Sequence, residues 1–147
     1  MREVSTAVTP SANDWVWSKP QVTATAFTEA QVGIGVLCNL THGIAVLRNW
    51  WHDAEGQPVV RNVGEIFALI HSELSEGLEA ARKDLPSDHI AGFSGLEEEL
   101  ADAIIRICDF AEAANLRLGE ALVAKLHFNL GRPDHDLAAR AAGGKQF

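Results

Sequence analysis

The fold is decided by residues 64–108, which read GEIFALIHSELSEGLEAARKDLPSDHIAGFSGLEEELADAIIRIC. In both halves of this segment apolar residues recur three or four positions apart, which is the spacing of a helix with one apolar face. The stretch between the halves, residues 84–95, is rich in the turn formers Asp, Ser, Gly and Pro. We therefore predict two consecutive helices that fold back on each other as an antiparallel hairpin.

Two acidic pairs lie within this hairpin, Glu73 with Glu76 and Glu99 with Asp102. Each pair has i, i+3 spacing, so its two carboxylates project from the same side of a helix. Because consecutive helices touch, the four carboxylates are expected to converge. Converging carboxylates repel one another unless a cation lies between them, and a hard divalent cation binds through oxygen. The sequence therefore predicts a Mg²⁺ site, which also admits Mn²⁺.

Other interpretations of these acids fit less well. An acidic pair alone is commonly a solvated helix face, but Asp102 has Ala101, Ala103 and Ile104 as neighbours, a poor setting for a stray carboxylate. A di-iron bundle needs Glu-x-x-His on two helices, and no Glu here has a His three residues later. The histidines and cysteines show no zinc-ligand spacing. Cys38 and Cys108 lie in apolar helical patterns and are expected to be buried free thiols.

The length and charge of the chain limit its domain organisation and the classes of partner that it can bind. At 147 residues the chain is expected to form one domain, residues 27–133, with an extended arm over residues 1–26 and a tail over residues 134–147. The net charge of −8 argues against binding to a nucleic-acid polymer. We expect no membrane association, because no apolar run is read as approaching the roughly 20 residues that span a bilayer. No secretory signal is visible, so we expect a cytoplasmic protein.

We predict an all-α fold, a four-helix bundle with short connections. The predicted helices are residues 28–51, with Thr28 as N-cap and Gln31 completing a capping box, and then residues 63–84, 95–115 and 118–130. The residues predicted to face inward are Val36, Leu37, Leu40, Ile44, Leu47 and Trp51 in the first helix, Ile66, Phe67, Ile70, Leu74, Leu78 and Ala81 in the second, Leu100, Ile104, Ile105, Ile107, Cys108 and Ala111 in the third, and Leu122, Val123, Leu126 and Leu130 in the fourth.

A basic face is predicted at the end of the fourth helix. Lys125, Asn129 and Arg132 follow one another at intervals of four and three residues and so share one face. A point charge, an amide and a guanidinium in a row suit a phosphate chain. The alternative is that the two cations merely complement the negative end of the helix dipole.

Together these motifs resemble the MazG-like branch of the all-α nucleoside triphosphate pyrophosphohydrolase superfamily, to which dimeric dUTPases and dCTP pyrophosphatases are related. The resemblance extends over about residues 31–147. The segments that carry it are Ser72 to Glu76, Glu98 to Asp102, Lys125 to Pro133, Asn49 to Trp51, Arg61 to Glu65 and the terminal Gly-Gly-Lys-Gln-Phe.

The resemblance implies Mg²⁺-dependent hydrolysis of a nucleoside triphosphate to the monophosphate and pyrophosphate, for control or cleaning of the nucleotide pool. It also implies a homodimer or a dimer of dimers. The residue roles that the resemblance implies are Glu73, Glu76, Glu99 and Asp102 as catalytic metal ligands, and Lys125 and Arg132 on the phosphates with Asn129 assisting. The base is then expected to rest against Trp50 or Trp51, with Asn39 or His42 offering a hydrogen bond to its edge.

One departure from the family pattern concerns the first acidic motif. The position that carries Glu in the family is Ser72 here. Glu98 and Glu79 are possible substitutes, although their spacing predicts that both face outward. The departure supports an alternative of another class, a non-catalytic helical module that binds a nucleotide or a protein partner.

Overall fold

The computed structural model describes residues 22–132. These residues form four helices and no strand beyond isolated bridges. The helices are α1 (Ala24–Leu47), α2 (Val63–Lys83), α3 (Gly95–Ala113) and α4 (Leu118–Leu130). The predicted all-α class with four helices is therefore confirmed. The predicted tail and nearly all of the predicted arm lie outside the described residues.

The helices pack in the order α2, α3, α1, α4, each mainly on the next. α2 and α3 form the predicted antiparallel hairpin, in which Phe67 meets Phe110 edge to face at one end and Ala80 lies against Gly95 at the other. α4 packs on α1, where Gly119 comes so close to the Gln31 carbonyl that a Cβ would lie 2.6 Å from its oxygen. Thus α4, which carries the predicted basic face, packs on α1. The α2–α3 hairpin, which carries the predicted acidic pairs, contacts α1 mainly through α3.

α1 begins and ends earlier than the sequence predicts. Its N-cap is Thr23, whose Oγ1 accepts a hydrogen bond from the Ala26 amide at 3.1 Å. The predicted cap, Thr28, lies inside the helix and donates its hydroxyl to the Ala24 carbonyl. The C-terminal prediction failed because Asn49 adopts a left-handed conformation, with φ of 61°, which ends the helix and turns Trp51 back toward α3.

The hairpin helices begin where the sequence places them because their caps are strong. The side chain of Asn62 accepts hydrogen bonds from the Gly64 and Glu65 amides at the start of α2. Ser94 and Glu97 form a reciprocal capping box at the start of α3. The predicted ends of both helices agree within two residues, and the predicted bounds of α4 match the structure.

The core inside one chain is small. Its centre is Cys38, Cys108 and Ala111, with Ile34 and Leu118 packed around it. Both cysteines are buried and free, as predicted, and burial raises the pKa of the Cys108 thiol to about 11.

The larger aliphatic residues that were predicted to face inward are mostly exposed, so this prediction is wrong for the described chain. In α1 the packed face consists of Cys38, Thr41 and Ala45. The residues on the opposite side are between 49% and 83% exposed, namely Val36, Leu40, Ile44 and Leu47. The reason is that α1 is apolar on all sides, so apolar spacing did not select the buried face. In the hairpin and α4 the exposed members of the predicted stripes include Phe67, Leu74, Leu78, Leu100, Ile104, Leu126 and Leu130.

Within residues 22–132, α1 is the one helix long and apolar enough to cross a membrane by length and composition. The prediction that no segment meets this standard is therefore wrong. Polar residues such as Asn39 and Thr41 break the uninterrupted apolar run, but they carry no charge and leave the helix apolar on average. Helices packed in protein interiors meet the same standard. One face of α1 already packs on α3 and α4.

Candidate functional site

Three carboxylates converge between α2 and α3. One oxygen from each of Glu73, Glu76 and Glu99 lies within 4.8 Å of the other two. Glu73 is buried, Glu99 is half-buried and Glu76 is exposed, so the group opens to solvent on one side. The structure thus brings together three of the four acids that the sequence predicts to converge. We call these three residues the acidic cluster.

Close helix packing brings the cluster together. Gly77 lies one turn after Glu73 on α2, and a Cβ there would lie 3.2 Å from the Cβ of Glu99. The missing side chain lets α3 approach α2 at this point, so that carboxylates from both helices share one space. Asp102 lies outside the 4.8 Å group, one turn further along α3.

Burial and neighbouring carboxylates raise the pKa values of two acids on α3, Glu99 and Asp102. Burial raises the pKa of Glu99 from the ordinary 4.5 to about 7, with further contributions from a hydrogen bond to Glu73 and from the charge of Glu76. Burial also raises the pKa of Asp102, and the charge of Glu73 adds to the shift. Near neutral pH a proton therefore remains on part of the cluster when no cation is bound. Such a cluster gains free energy from any cation that replaces the proton.

Arg106 is a member of the site that the sequence analysis missed. Its Nε donates a hydrogen bond to Glu73, and the guanidinium is about one-third exposed while Glu73 is buried. The pairing compensates one of the converging negative charges. The available signal was the spacing of four residues between Asp102 and Arg106, which puts both on one face of α3.

Asp109 is the second missed residue. It is buried and accepts hydrogen bonds from Trp51 Nε1 at 2.9 and 3.1 Å and from His42 Nδ1 at 2.8 Å. The imidazole of His42 and the indole of Trp51 meet edge to face. Asp109 thereby fixes two of the four residues that were predicted to surround a base.

The two missed residues belong to a continuous row on α3. Glu98, Asp102, Arg106 and Asp109 follow one another at intervals of four, four and three residues, which keeps them on one side of the helix. We call this row the polar stripe. It runs from the α2–α3 loop, past the acidic cluster, to Trp51, a span of about 16 Å at the rise of an α-helix.

A cavity of about 410 Å³ opens beside the Trp51 end of the polar stripe. It is lined by His42, Trp51, His52 and Arg61 among mostly apolar residues. A smaller adjoining cavity of about 30 Å³ is lined by Trp50 together with Trp51, Arg61, Arg106 and Asp109. Of the predicted base-binding residues, His42 and both tryptophans therefore face a cavity, whereas Asn39 is exposed and lines neither.

The proposed substitutes for the missing motif carboxylate differ in position. Ser72 donates its hydroxyl to the Leu69 carbonyl at 2.7 Å and offers no negative charge. Glu79 faces outward, as predicted, and pairs with Lys83. The prediction that Glu98 also faces outward is wrong, because its side chain is buried and is hydrogen-bonded to the α2–α3 loop.

The predicted phosphate-binding residues lie on α4. Lys125 lies over the ring of Phe128 at 4.5 Å from its centroid, and Arg132 approaches the same ring at 5.9 Å. Asn129 lines an apolar cavity of about 380 Å³ between α4 and the start of α1. Its side-chain oxygen is buried and has no hydrogen-bond partner among the described residues.

This basic face is not beside the acidic cluster within one chain. His127 stacks on Phe27 of α1, whereas His42, fifteen residues further along α1, contacts Asp109 of α3. At the rise of an α-helix these two contact points are about 22 Å apart. The metal-binding and phosphate-binding halves of the predicted site are therefore separate within the described chain.

Comparison of the chain with protein-family models, curated proteins and solved structures found no match. The MazG-like resemblance therefore rests on the motifs alone.

Proposed function

We propose that the protein is a Mg²⁺-dependent hydrolase that converts nucleoside triphosphates to monophosphates and pyrophosphate. The observation that carries the proposal is the convergence of Glu73, Glu76 and Glu99 to within 4.8 Å. The resemblance to MazG-like enzymes supplies the reaction. The cavity beside Trp51 supplies a place for the base, since aromatic faces stack on bases.

The donor set suits a hard divalent cation. All candidate ligand atoms are carboxylate oxygens, the type that Mg²⁺ prefers, and one side of the cluster is open to water and substrate. Burial and the neighbouring carboxylates raise the pKa of Glu99 although Arg106 pairs with Glu73, so the site still favours an additional cation. Glu73, Glu76 and Glu99, with Asp102 beside them, would hold the ion. When bound, Mg²⁺ neutralises charge on the phosphate oxygens and positions the substrate.

The residues of the chain supply orientation and proton transfer. Asp109 holds Trp51 and His42 at the wall of the cavity, so the base meets a rigid surface. Glu76 is the most exposed member of the cluster, and its carboxylate takes the proton of the water that attacks the α-phosphorus. The bond between the α-phosphorus and the bridging oxygen then breaks, and pyrophosphate leaves. Arg106 positions Glu73 through its Nε hydrogen bond.

A second copy of the chain is part of the proposal. The aliphatic face of α1 that packing leaves open is suited to a homodimer, and a dimer closes the row of helices into a bundle. Lys125 and Arg132 lie far from the acidic cluster of their own chain, so they serve phosphate binding only if a partner brings them close.

Pyrophosphate release tests the proposal. The protein is incubated with Mg²⁺ and each common ribo- and deoxyribonucleoside triphosphate, and phosphate is measured with and without inorganic pyrophosphatase. We expect signal only with pyrophosphatase, and loss of activity in Glu73→Ala and Asp102→Asn. The control Glu79→Gln, on the outer face of α2, should keep full activity. Turnover of no nucleotide, with identical blanks for Glu73→Ala, contradicts the proposal.

A non-catalytic module is the second candidate, and the pairing of Arg106 with Glu73 favours it. A cation already compensates the most buried carboxylate, and Ser72 removes one acid of the family motif. In this case nucleotide binds with no turnover, and Mg²⁺ adds little stability to the fold. The hydrolysis assay and a binding titration with the same nucleotides separate the two candidates.

A further inference from the structure

The α2–α3 loop holds a histidine at the end of the polar stripe, opposite to Trp51. The Nδ1 atom of His89 lies 2.6 Å from Glu98 Oε1. The imidazole is 83% exposed, whereas the Glu98 carboxylate is only 10% exposed. A solvent-facing ring is thus held in place by a buried acid.

Several hydrogen bonds hold the loop around His89 in one conformation. Glu98 Oε2 accepts hydrogen bonds from Ser87 Oγ at 2.7 Å and from the Asp88 amide at 3.0 Å. Ser87 Oγ in turn accepts from the Ile90 amide at 2.9 Å, and the Ser87 amide donates to the Phe93 carbonyl. The position of the imidazole relative to α3 is therefore fixed.

The same hydrogen bonds determine which edge of the imidazole is available. Hydrogen bonds donated by a hydroxyl and an amide favour the ionised form of the Glu98 carboxyl group near neutral pH, and an ionised carboxylate can only accept. Nδ1 of His89 therefore carries the proton that bonds Glu98. Nε2 lies on the opposite edge of the ring and faces away from the acid.

His89 is close to the proposed metal ligands in space. Glu98 and Asp102 are four residues apart on α3 and share its polar stripe. The hydrogen bond to Glu98 raises the pKa of His89, and the charge of Asp102 raises it further. In return His89 lowers the pKa of Asp102 against the stronger effect of burial. The imidazole is therefore within electrostatic reach of the acidic side of the site.

We propose that His89, oriented by Glu98, binds the terminal phosphates of the substrate, and so the pyrophosphate that leaves. This inference rests on the proposed function. A base in the Trp51 cavity and an α-phosphate at the acidic cluster leave the remaining phosphates at the Glu98 end of the stripe. Because carboxylates repel polyphosphate there, a positive or hydrogen-donating group is needed, and His89 offers one.

Calorimetric titration with pyrophosphate in the presence of Mg²⁺ tests the inference. We expect His89→Ala to bind pyrophosphate about ten-fold or more weakly, the loss expected for one hydrogen bond between charged groups. Glu98→Gln, which removes the charge that orients the ring, should lose less. The control His127→Ala removes an imidazole that stacks on Phe27 at the other end of the molecule and should bind normally.

A second ligand separates phosphate binding from a purely structural role. The monophosphate product of the best triphosphate substrate should bind His89→Ala as tightly as it binds the unmodified protein, since it lacks the phosphates that His89 contacts. Equal losses for both ligands, or undiminished pyrophosphate binding in His89→Ala, overturn the inference while hydrolysis by the unmodified protein stands. Failure of the unmodified protein to hydrolyse any triphosphate overturns the function itself.

Discussion

Glu99 makes the stability of the protein depend on pH. In the folded chain its pKa is about 7, against an ordinary 4.5. Between these values the folded state holds more protons than the unfolded state, so the contribution of Glu99 to the free energy of unfolding falls as pH rises from about 4.5 to 7. We expect Glu99→Gln to gain stability over the unmodified protein as pH rises through this range, measured by urea unfolding without metal.

Mg²⁺ should reverse this trend. An ion that binds only the folded, deprotonated cluster stabilises it by mass action, and more at pH 8 than at pH 5. Glu79→Gln, whose carboxylate pairs with Lys83 outside the cluster, should follow the unmodified protein in both experiments. If the stability difference between Glu99→Gln and the unmodified protein stays constant with pH, the raised pKa of Glu99 is contradicted.

Arg106→Met separates a structural ion pair from a metal site. Without the guanidinium, Glu73 stays buried with no compensating positive charge, and we expect the metal-free protein to lose about 1–3 kcal/mol. Mg²⁺ should restore more stability to this variant than it adds to the unmodified protein, because the ion replaces the missing charge. Thermal unfolding with and without Mg²⁺ measures both effects. Equal Mg²⁺ effects in the two proteins would identify a purely structural pair.

The sequence predicted residues of the site where the partners are close along the chain. Glu73 and Glu76, or Glu99 and Asp102, follow from helix spacing alone. Arg106 and Asp109 were missed because their partners are far away in sequence, 33 residues for Glu73 and 58 for Trp51. Glu98 was assigned to the outer face because its partners belong to a loop, whose path helix spacing does not determine.

Among the helices, predictability follows the strength of local signals. α2 and α3 have side-chain caps and one dominant polar face, so their bounds and pairing could be predicted. α1 has neither a charged first turn nor a clear polar face. The buried side of α1 carries the small residues Cys38 and Ala45, which allow close contact with α3. Which side is buried therefore depends on tertiary packing rather than on apolar spacing.

The contact between α1 and α4 depends on one glycine. A Cβ at Gly119 would lie 2.6 Å from the Gln31 carbonyl oxygen, which is backbone and does not move aside easily. We expect Gly119→Ala to destabilise the protein by about 1–3 kcal/mol, as for overpacking elsewhere. Gly35→Ala is the matched control, because that position of α1 has open space around it and Ala favours a helix by up to about 1 kcal/mol. Urea unfolding compares the variants. Equal stability of the two would contradict the close approach.

At the scale of the whole molecule, the described chain leaves more large aliphatic residues exposed than buried. The buried apolar residues are mostly small, and the exposed ones include a continuous face on α1. Burying one exposed Val, Leu or Ile fully would contribute roughly 1.5–3 kcal/mol. Four such residues in one row, opposite to the packed face of α1, are therefore a strong reason for association. A second copy of the same chain would cover this surface by two-fold symmetry, as we propose.

A charge placed on this face tests the association. We expect the unmodified protein to be a dimer or a dimer of dimers, and Leu40→Asp to weaken self-association by at least about thirty-fold, about 2 kcal/mol, as for a central interface residue. Val60→Asp is the control, since Val60 is fully exposed in the α1–α2 connection. Size-exclusion chromatography with light scattering, from nanomolar to high micromolar protein, measures both.

Two results would contradict a dimer built on α1. One is a monomer for the unmodified protein throughout the concentration range. The other is recovery of the full chain in the membrane fraction with α1 protected from proteolysis, which would mean that lipid rather than protein covers the face. If Leu40→Asp yields monomers with little hydrolysis, mixing them with the inactive Glu73→Ala chains, whose basic face is intact, tests whether Lys125 and Arg132 act across the interface. A rate that recovers in the mixture supports phosphate binding by the partner.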